Sequence, residues 1–315
     1  MSQLRISGGR WLRGRVQVPG DKSISHRTLL LGCLADGRSH IRGFLPSADC
    51  LATLGCIRAL GIPVDADATT LTIHGHGLRG LQRPTAPLNC VRSGTTMRLL
   101  AGILAGRAFE GSGATLTGDP QLLRRPMRRI AVPLRLMGAA IETTDGYAPL
   151  TIRGDKLRGW EHTLPVASAQ VKSAILLAAL YADGPTIVHQ PGPARDHTEL
   201  MLKAMGADVD IAGLTVTLTP RPVPLSPLDL TVPGDISSAS FPLAAALLAP
   251  GAEVTVERVG VNPTRTGLLD VLRAMGGDVA AENSRDQGGE SVADVRVQTS
   301  RLRSTEVSGD TVVRM

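Results

Sequence analysis

The chain has 315 residues, 43% of them hydrophobic but only 2% aromatic, and a formal net charge of +6 at pH 7. This length allows two domains with a sizeable core, which Leu, Val, Ile and Ala must build. The scarcity of aromatic side chains argues against the stacking platforms of proteins that bind single-stranded nucleic acid. Lys and Arg residues are scattered along the chain, and such a diffuse positive charge suits a small anionic substrate as well as it suits nucleic acid.

The cysteines and the first residues predict a cytoplasmic protein. Cys33, Cys50, Cys56 and Cys90 form no CxxC pair, so no zinc signature is present, and their mostly apolar surroundings are typical of reduced, buried thiols. Residues 1–20 contain no apolar segment of the kind found in signal peptides, and the longest apolar runs are too short to span a bilayer. We therefore expect a reducing compartment and no membrane association.

One short phrase, which ends a helix and begins a strand, occurs four times. Each copy has Leu-Gly or Met-Gly followed by small or β-branched residues, as expected where a left-handed glycine ends a helix. The copies recur at roughly 70-residue intervals, which indicates a repeated structural unit. They are ALGIPV (59–64), LMGAAI (136–141), AMGADV (204–209) and AMGGDV (274–279).

A second phrase alternates with the first and predicts helices in the core. It consists of a small polar cluster, an Ala- and Leu-rich helix and a glycine, at residues 22–37, 92–106, 168–184 and 235–251. These helices are apolar on nearly all sides, which is typical of helices buried between layers. Together the two phrases predict an α/β (α+β) fold of βαβαββ units around buried helices. Four units are complete, and we expect a fifth to begin with a strand at residues 301–315.

The first turns of the predicted buried helices combine hydroxyl groups with basic side chains. Ser23, Ser93 and Ser168 are suited to cap the helices, and capping alone remains one interpretation of each cluster. The helix dipole disfavours cations at this end, so basic residues there indicate a bound phosphate or carboxylate. The basic residues are Lys22 and Arg27 in the first helix, Arg92 and Arg98 in the second, and Lys172 in the third.

Other segments add charge or resemble known motifs without the required context. GDPQLLRRPMRR (118–129) adds four arginines, and ARDHTE (194–199) adds Arg195 at a helix start, where Asp196, Thr198 and Glu199 suggest capping. The His of that segment lacks a nucleophile-elbow partner, which disfavours a catalytic triad. GHGLRG (75–80) precedes no helix, so it does not predict a dinucleotide site. The seven His residues show no metal-ligand spacing.

Seven motifs, in order along the chain, resemble the 5-enolpyruvylshikimate-3-phosphate synthase family. The resemblance implies an enolpyruvyl transferase-like fold with two domains. Residues 20–225 would form a complete three-unit domain, and residues 1–19 with 226–315 an incomplete second domain with one full unit. The motifs are PGDKSISHR (19–27), SGTTMRLL (93–100), GDPQLLRRPMRR (118–129), PVASAQVKSAILLA (165–178), RDHTE (195–199), GDISSASF (234–241) and NPTRTG (262–267).

The same resemblance implies a reaction of the shikimate pathway, which leads to aromatic amino acids. The enolpyruvyl group of phosphoenolpyruvate passes to the 5-hydroxyl of shikimate 3-phosphate and phosphate is released, with no metal or organic cofactor. We expect a monomeric transferase without a nucleic-acid partner. By motif match, shikimate 3-phosphate would contact Lys22, Ser23, Arg27, Ser168, Ala169, Gln170 and Arg195. Phosphoenolpyruvate would contact Lys22, Gly94, Arg125 and Gln170.

Two departures from the family pattern affect these expectations. Val91 and Arg92 stand where the family usually has Gly-Asn, so a charged side chain lies beside the expected phosphoenolpyruvate site. The family's acid–base Asp and Glu lie in C-terminal units beyond Met315, so no residue of this chain is assigned as general acid or base, and Lys22 and Arg125 supply electrostatic support. We therefore expect the 315-residue chain alone to bind shikimate 3-phosphate weakly without turnover, and to expose apolar surface around residues 241–248.

Three alternatives remain open at this level. A second enolpyruvyl transferase of the same fold would need a pocket for a nucleotide sugar. A truncated, non-catalytic protein would bind shikimate 3-phosphate in its complete domain. A nucleic-acid binder is the least favoured, because the chain has neither aromatic platforms nor a basic stripe.

Overall fold

Helices and strands follow one another in the order that the repeated phrases predict. A computed structural model describes residues 11–107, 109, 113–154 and 156–315. The helices are α1 (Lys22–Gly32), α2 (Ala48–Ala59), α3 (Gly94–Gly106), α4 (Pro120–Leu123), α5 (Arg128–Leu136), α6 (Ala169–Ala179), α7 (His197–Ala204), α8 (Ile236–Leu248), α9 (Gly267–Ala274) and α10 (Asp310–Val313). The strands are β1 (Arg13–Gln17), β2 (Asp36–Arg42), β3 (Val64–Asp67), β4 (Thr70–His76), β5 (Leu88–Asn89), β6 (Ala114–Thr117), β7 (Ala140–Thr144), β8 (Tyr147–Arg153), β9 (Glu161–Thr163), β10 (Thr186–His189), β11 (Asp208–Ala212), β12 (Thr215–Thr219), β13 (Asp229–Thr231), β14 (Glu253–Gly260), β15 (Asp278–Gln287) and β16 (Glu290–Gln298).

In the part of the chain that the structure describes, the strands form four sheets of four strands each. In the sheets of the second and third repeats, the strand before the buried helix pairs in parallel with the strand after it. That strand pairs antiparallel with the last strand of the unit, which in turn pairs antiparallel with the strand before it. This is the predicted βαβαββ unit, so the predicted fold class is confirmed. The strand orders are β5-β6-β8-β7, β9-β10-β12-β11, β13-β2-β4-β3 and β1-β14-β16-β15.

In the sheets that contain β2 and β14, the parallel edge strand is not the strand that directly precedes the helix of that repeat. β1 precedes α1 but pairs with β14, and β13 precedes α8 but pairs with β2. Because β13 belongs to the sheet of β2, the boundary between the two compact units falls after Val232, beyond the residue 225 expected from sequence. The larger unit comprises Gly20–Val232 and Asp286–Glu290, and the smaller comprises residues 11–19, Pro233–Arg285 and Ser291–Met315.

The core of the larger unit is built around α1, α3 and α6. Nearly all their residues beyond the first turn are buried, as the sequence predicts for helices that are apolar on all sides. α3 and α6 approach closely at Gly102, where an added Cβ would lie 2.1 Å from the carbonyl oxygen of Ala174. The contact is made by backbone atoms, so residue 102 cannot carry a side chain unless one helix moves.

The starts of α1, α2 and α3 are joined by a chain of buried polar groups. The Nδ1 atom of His26 lies 2.7 Å from Thr53 Oγ1, which lies 2.6 Å from Thr96 Oγ1. Thr96 Oγ1 in turn lies 2.7 Å from Ser93 Oγ. Burial, reinforced by nearby cations, lowers the pKa of His26 to about 3, so the ring is neutral at physiological pH. Hydrogen bonds therefore join the N-terminal halves of the three helices.

In the smaller unit α8 is buried on one side only. Ile236, Ala239 and Leu243 are buried in the core that also contains residues of β14 and β16. Phe241 is 79% exposed and Leu248 70% exposed on the other side. The expectation that α8 is buried all round was therefore wrong, because one sheet covers only one face of a helix. The exposed apolar surface expected at residues 241–248 is confirmed.

The last residues do not form the strand that the repeat predicts. Residues 301–309 are irregular and lead into the four-residue helix α10. Both backbone and side-chain contacts hold this segment. Arg303 N donates to the carbonyl of Met275 at 2.8 Å, Arg314 forms an ion pair with Asp270, and Arg314 Nε donates to the carbonyl of Pro263 at 3.0 Å.

Gly102 and Gly55 provide a matched test of the close helix contact. Gly102→Ala should lower the free energy of unfolding by about 1–3 kcal/mol, because the new methyl group meets the backbone of α6. Gly55→Ala, on the exposed side of α2 with open space around it, should raise it by about 0.5–1 kcal/mol through helix propensity. Urea unfolding of both variants measures the difference. Equal effects would contradict the packing described for α3 and α6.

Candidate anion-binding active site

The start of α3 is shaped to admit two guanidinium groups. Ser93 caps the helix, since its Oγ accepts a hydrogen bond from Thr96 N at 3.1 Å. The next residue is Gly94, and a Cβ there would lie 3.0 Å from Arg125 Nη1 and 3.3 Å from Arg98 Nη1. The absence of a side chain at residue 94 is therefore what allows both cations to reach the helix terminus.

Arg98 shows that these cations are held in an unfavourable environment. It is only 6% exposed, and burial lowers its pKa to about 10, with the charges of Arg129 and Arg125 adding to the effect. Like charges gathered at the positive end of a helix repel one another unless an anion lies among them. The arrangement is therefore suited to a phosphate or carboxylate group.

The family resemblance assigned Arg125 to a ligand but gave no ligand contact to Arg129 or to Arg98, which the sequence identified only as a basic residue at a helix start. Both lie within the segments that carry the family resemblance, Arg98 one turn into α3 and Arg129 at the end of the basic run 118–129. The available signals were the basic residue of SGTTMRLL and the last arginine of GDPQLLRRPMRR. The sequence could not show that Arg98 and Arg125 converge at Gly94 or that Arg129 lies close enough to Arg98 to lower its pKa.

Gln170 connects the start of α6 to this cluster. Its Nε2 donates to Thr95 Oγ1 at 3.0 Å, and its Oε1 accepts from Arg98 Nη1 at 2.5 Å. Ser168 caps α6 by accepting from Val171 N. Ala169, the first residue of α6, is half-buried like its two neighbours. Among the predicted residues, Gly94, Arg125 and Gln170 are thus brought together.

A second cluster joins α1 to the loop before α7. Asp21 caps α1, since its Oδ1 accepts from Ile24 N at 2.9 Å, so capping does not account for Ser23. Ser23 Oγ instead accepts from Arg195 Nη1 at 3.4 Å, which brings together residues 172 positions apart in the chain. Lys22, on the same turn, forms an ion pair with Asp49 and is 46% exposed in its side chain. The first and third repeats thus meet at Ser23 and Arg195.

Arg27 lies beneath this second cluster rather than at its surface. It is 3% exposed, and its Nη1 donates to the carbonyl of Ser23 at 2.9 Å. Its Nε donates to Thr198 Oγ1 at 2.6 Å and its Nη2 to Ser173 Oγ at 2.8 Å. These bonds fasten α1 to α6 and α7, so Arg27 has a structural role in addition to the ligand contact predicted for it.

Val91 and Arg92 adopt an unusual conformation before α3. Val91 has a φ of 51°, a region that a β-branched residue rarely occupies. Its N–H donates to Asn89 Oδ1 at 2.8 Å, while Arg92 Nε lies 3.2 Å from Asp119 Oδ2. The family's glycine at this position would adopt this φ without strain. The Arg92 side chain is 65% exposed and paired with Asp119.

The opposite ends of the buried helices form a separate cavity. It has a volume of about 1050 Å³ and its lining includes Gly106 at the end of α3 and Leu180 after α6. None of the predicted ligand-binding residues lines it, so its size alone does not make it the functional site. Among the described residues, no group of three or more His, Cys, Asp or Glu side chains is arranged to hold a metal ion. Within the same residues no helix has the length and apolar character needed to cross a membrane.

Repeated βαβαββ units around buried helices define the enolpyruvyl transferase-like fold, and cations gather at the starts of these helices. Residues 6–308 match the family of EPSP synthase (3-phosphoshikimate 1-carboxyvinyltransferase). The chain belongs to this family.

Individual relatives agree with this assignment. A 3-phosphoshikimate 1-carboxyvinyltransferase of Geobacillus kaustophilus is 52% identical over 96% of this chain and 71% of its own length. That of Citrifermentans bemidjiense is 50% identical over 100% of this chain and 73% of its own length. A solved structure of EPSP synthase from Acinetobacter baumannii has a TM-score of 0.90 and 45% identity, covering 98% of this chain and 69% of that one. The chain thus spans about 70% of the length of these relatives.

Gly94→Ala should weaken anion binding at the start of α3. The added methyl group would displace the guanidinium groups of Arg125 and Arg98, so the affinity for phosphoenolpyruvate should fall about tenfold, the loss of roughly one charged hydrogen bond. Gly184→Ala, with open space around its Cβ, is the matched control. Calorimetric titration of both variants measures the change, and unaltered affinity in Gly94→Ala would show that the cluster does not hold the ligand.

Proposed function

We propose that the chain acts in the reaction of its family, the transfer of the enolpyruvyl group of phosphoenolpyruvate to the 5-hydroxyl of shikimate 3-phosphate with release of phosphate. This is a step of the shikimate pathway towards aromatic amino acids. The observation that carries the proposal is the convergence of Arg98 and Arg125 at Gly94, with the charge of Arg129 acting on Arg98, an arrangement that an anionic ligand would stabilise. The family matches favour the synthase over a second enolpyruvyl transferase of the same fold.

Phosphoenolpyruvate would lie at the start of α3. The residues proposed to face it are Lys22, Gly94, Arg125 and Gln170, to which the structure adds Arg98 as a close neighbour. The free N–H groups of a helix start and several guanidinium groups are suited to hold its phosphate and carboxylate together. Donors fixed in this way also stabilise the charge that develops on the leaving phosphate.

Shikimate 3-phosphate would lie along the starts of α1 and α6. Arg195 is proposed to bind its phosphate, because this cation reaches Ser23 from the loop before α7. The further proposed contacts are Lys22, Ser23, Arg27, Ser168, Ala169 and Gln170. Gln170 belongs to both sets because it lies two residues from Ser168 and contacts Arg98. The two anionic substrates repel each other, and cations between them would allow the 5-hydroxyl to approach the reacting carbon.

The described residues therefore bind, orient and neutralise the substrates, and Lys22 and Arg125 would provide electrostatic support. No residue of this chain is assigned as general acid or base. We further propose a cytoplasmic monomer, in keeping with four free and buried cysteines. Its three-unit domain would carry the shikimate 3-phosphate side of the reaction.

Arg195→Gln separates recognition of the phosphate from recognition of the shikimate ring. The affinity for shikimate 3-phosphate should fall at least about tenfold, whereas the affinity for shikimate should change little, because only the former carries the group that Arg195 would bind. Arg221→Gln is the control, since Arg221 is exposed and paired with Asp208. Binding is measured by calorimetry.

Failure of the unaltered chain to bind shikimate 3-phosphate would overturn the proposal. Phosphate release in the presence of both substrates then tests the complete reaction.

A further inference from the structure

A Lys–Glu pair is buried between α6 and α7. Lys172 Nζ lies 2.5 Å from Glu199 Oε1, and both side chains are 1% exposed. Burial raises the pKa of Glu199, and the positive charge of Lys172 opposes that change. Sequence patterns suggested that Asp196, Thr198 and Glu199 cap α7, but no side chain caps this helix at Asp196. The pair therefore needs an explanation other than helix capping.

Lys172 also contacts the backbone next to a proposed substrate contact. Its Nζ donates to the carbonyl oxygen of Ala194 at 3.3 Å, in a buried position. Ala194 immediately precedes Arg195, whose Nη1 donates to Ser23 Oγ. The ammonium group thus joins α6 and α7 to the loop from which Arg195 extends.

A second polar layer is formed by the residue after Lys172 in α6 and the residue before Glu199 in α7. Ser173 Oγ lies 2.7 Å from Thr198 Oγ1, and Arg27 donates to both hydroxyl oxygens. This layer fixes the distance between α6 and α7 independently of the ion pair. The fold of the two helices does not depend on Lys172 and Glu199 alone, so removal of their charges need not unfold the protein.

Energetics argue against stability as the purpose of the pair. Desolvation of two charges costs several kcal/mol each, and apolar residues of similar volume in place of a buried ion pair are often neutral or stabilising. What apolar side chains cannot supply is a donor to the carbonyl of Ala194. Lys172 therefore differs from an apolar side chain in its hydrogen bond to the loop that carries Arg195.

We propose that Lys172 and Glu199 are positioning residues that hold the loop at Ala194 so that Arg195 points to the phosphate of shikimate 3-phosphate. The inference rests on the proposed function. In it, Glu199 keeps the Lys172 ammonium in place, and Lys172 orients the loop through the Ala194 carbonyl. Neither residue contacts the substrate.

The test compares folding stability with preference for the phosphorylated ligand. In the double variant Lys172→Met/Glu199→Met, the free energy of unfolding should be unchanged or higher. The ratio of the affinities for shikimate 3-phosphate and shikimate should fall about tenfold, because Arg195 loses its orientation. The variant Lys172→Met/Glu199→Gln, which also removes the donor to Ala194 without leaving a buried charge, should behave in the same way and decides the matter if the first variant does not fold.

Ser39→Ala is the matched control for loss of a buried polar group away from the loop. Ser39 Oγ accepts from Leu228 N at 3.0 Å, so its removal should lower stability and leave the affinity ratio unchanged. A folded double variant that keeps the ratio of the unaltered chain would overturn the positioning role alone. An unaltered chain with no preference for shikimate 3-phosphate over shikimate would overturn the proposed function as well.

Discussion

Repulsion between cations at the start of α3 is the constraint on which the site depends. Arg98, Arg125 and Arg129 carry like charges, and burial lowers the pKa of Arg98 to about 10. The positive end of the helix dipole adds to the cost. Packing must hold such an arrangement in place in the folded protein. An anion that binds there is attracted by all of these positive charges.

The repeated fold supplies that packing. The N-terminal halves of α1, α2 and α3 are joined by hydrogen bonds from His26 through Thr53 and Thr96 to Ser93. Gln170 then connects α6 to α3, and Lys172 Nζ donates to the Ala194 carbonyl next to Arg195. Because these bonds run between repeats, they hold together residues that are far apart in the chain.

Much of this architecture could be predicted from the sequence, because glycine stops and apolar helices recur with a regular spacing. The βαβαββ unit and the buried helices of the larger unit follow from that pattern alone, whereas the exposed surface at Phe241 was expected from the incomplete second domain that the family resemblance implies. The exchange of β1 and β13 between sheets could not be predicted, since pairing of distant strands leaves no local signal. Arg98 was visible as a helix-start cation, but only three-dimensional proximity shows that it contacts Gln170.

The central claim is that anionic ligands dock where cations gather at the starts of the buried helices. Its most direct test is the NMR spectrum of the arginine Nε–H groups during titration with shikimate 3-phosphate and then phosphoenolpyruvate. The account predicts that the signal of Arg195 shifts with the first ligand and those of Arg98 and Arg125 with the second, while exposed arginines such as Arg221 do not respond. Signals of Arg195, Arg98 and Arg125 that stay unchanged at saturating ligand would contradict it.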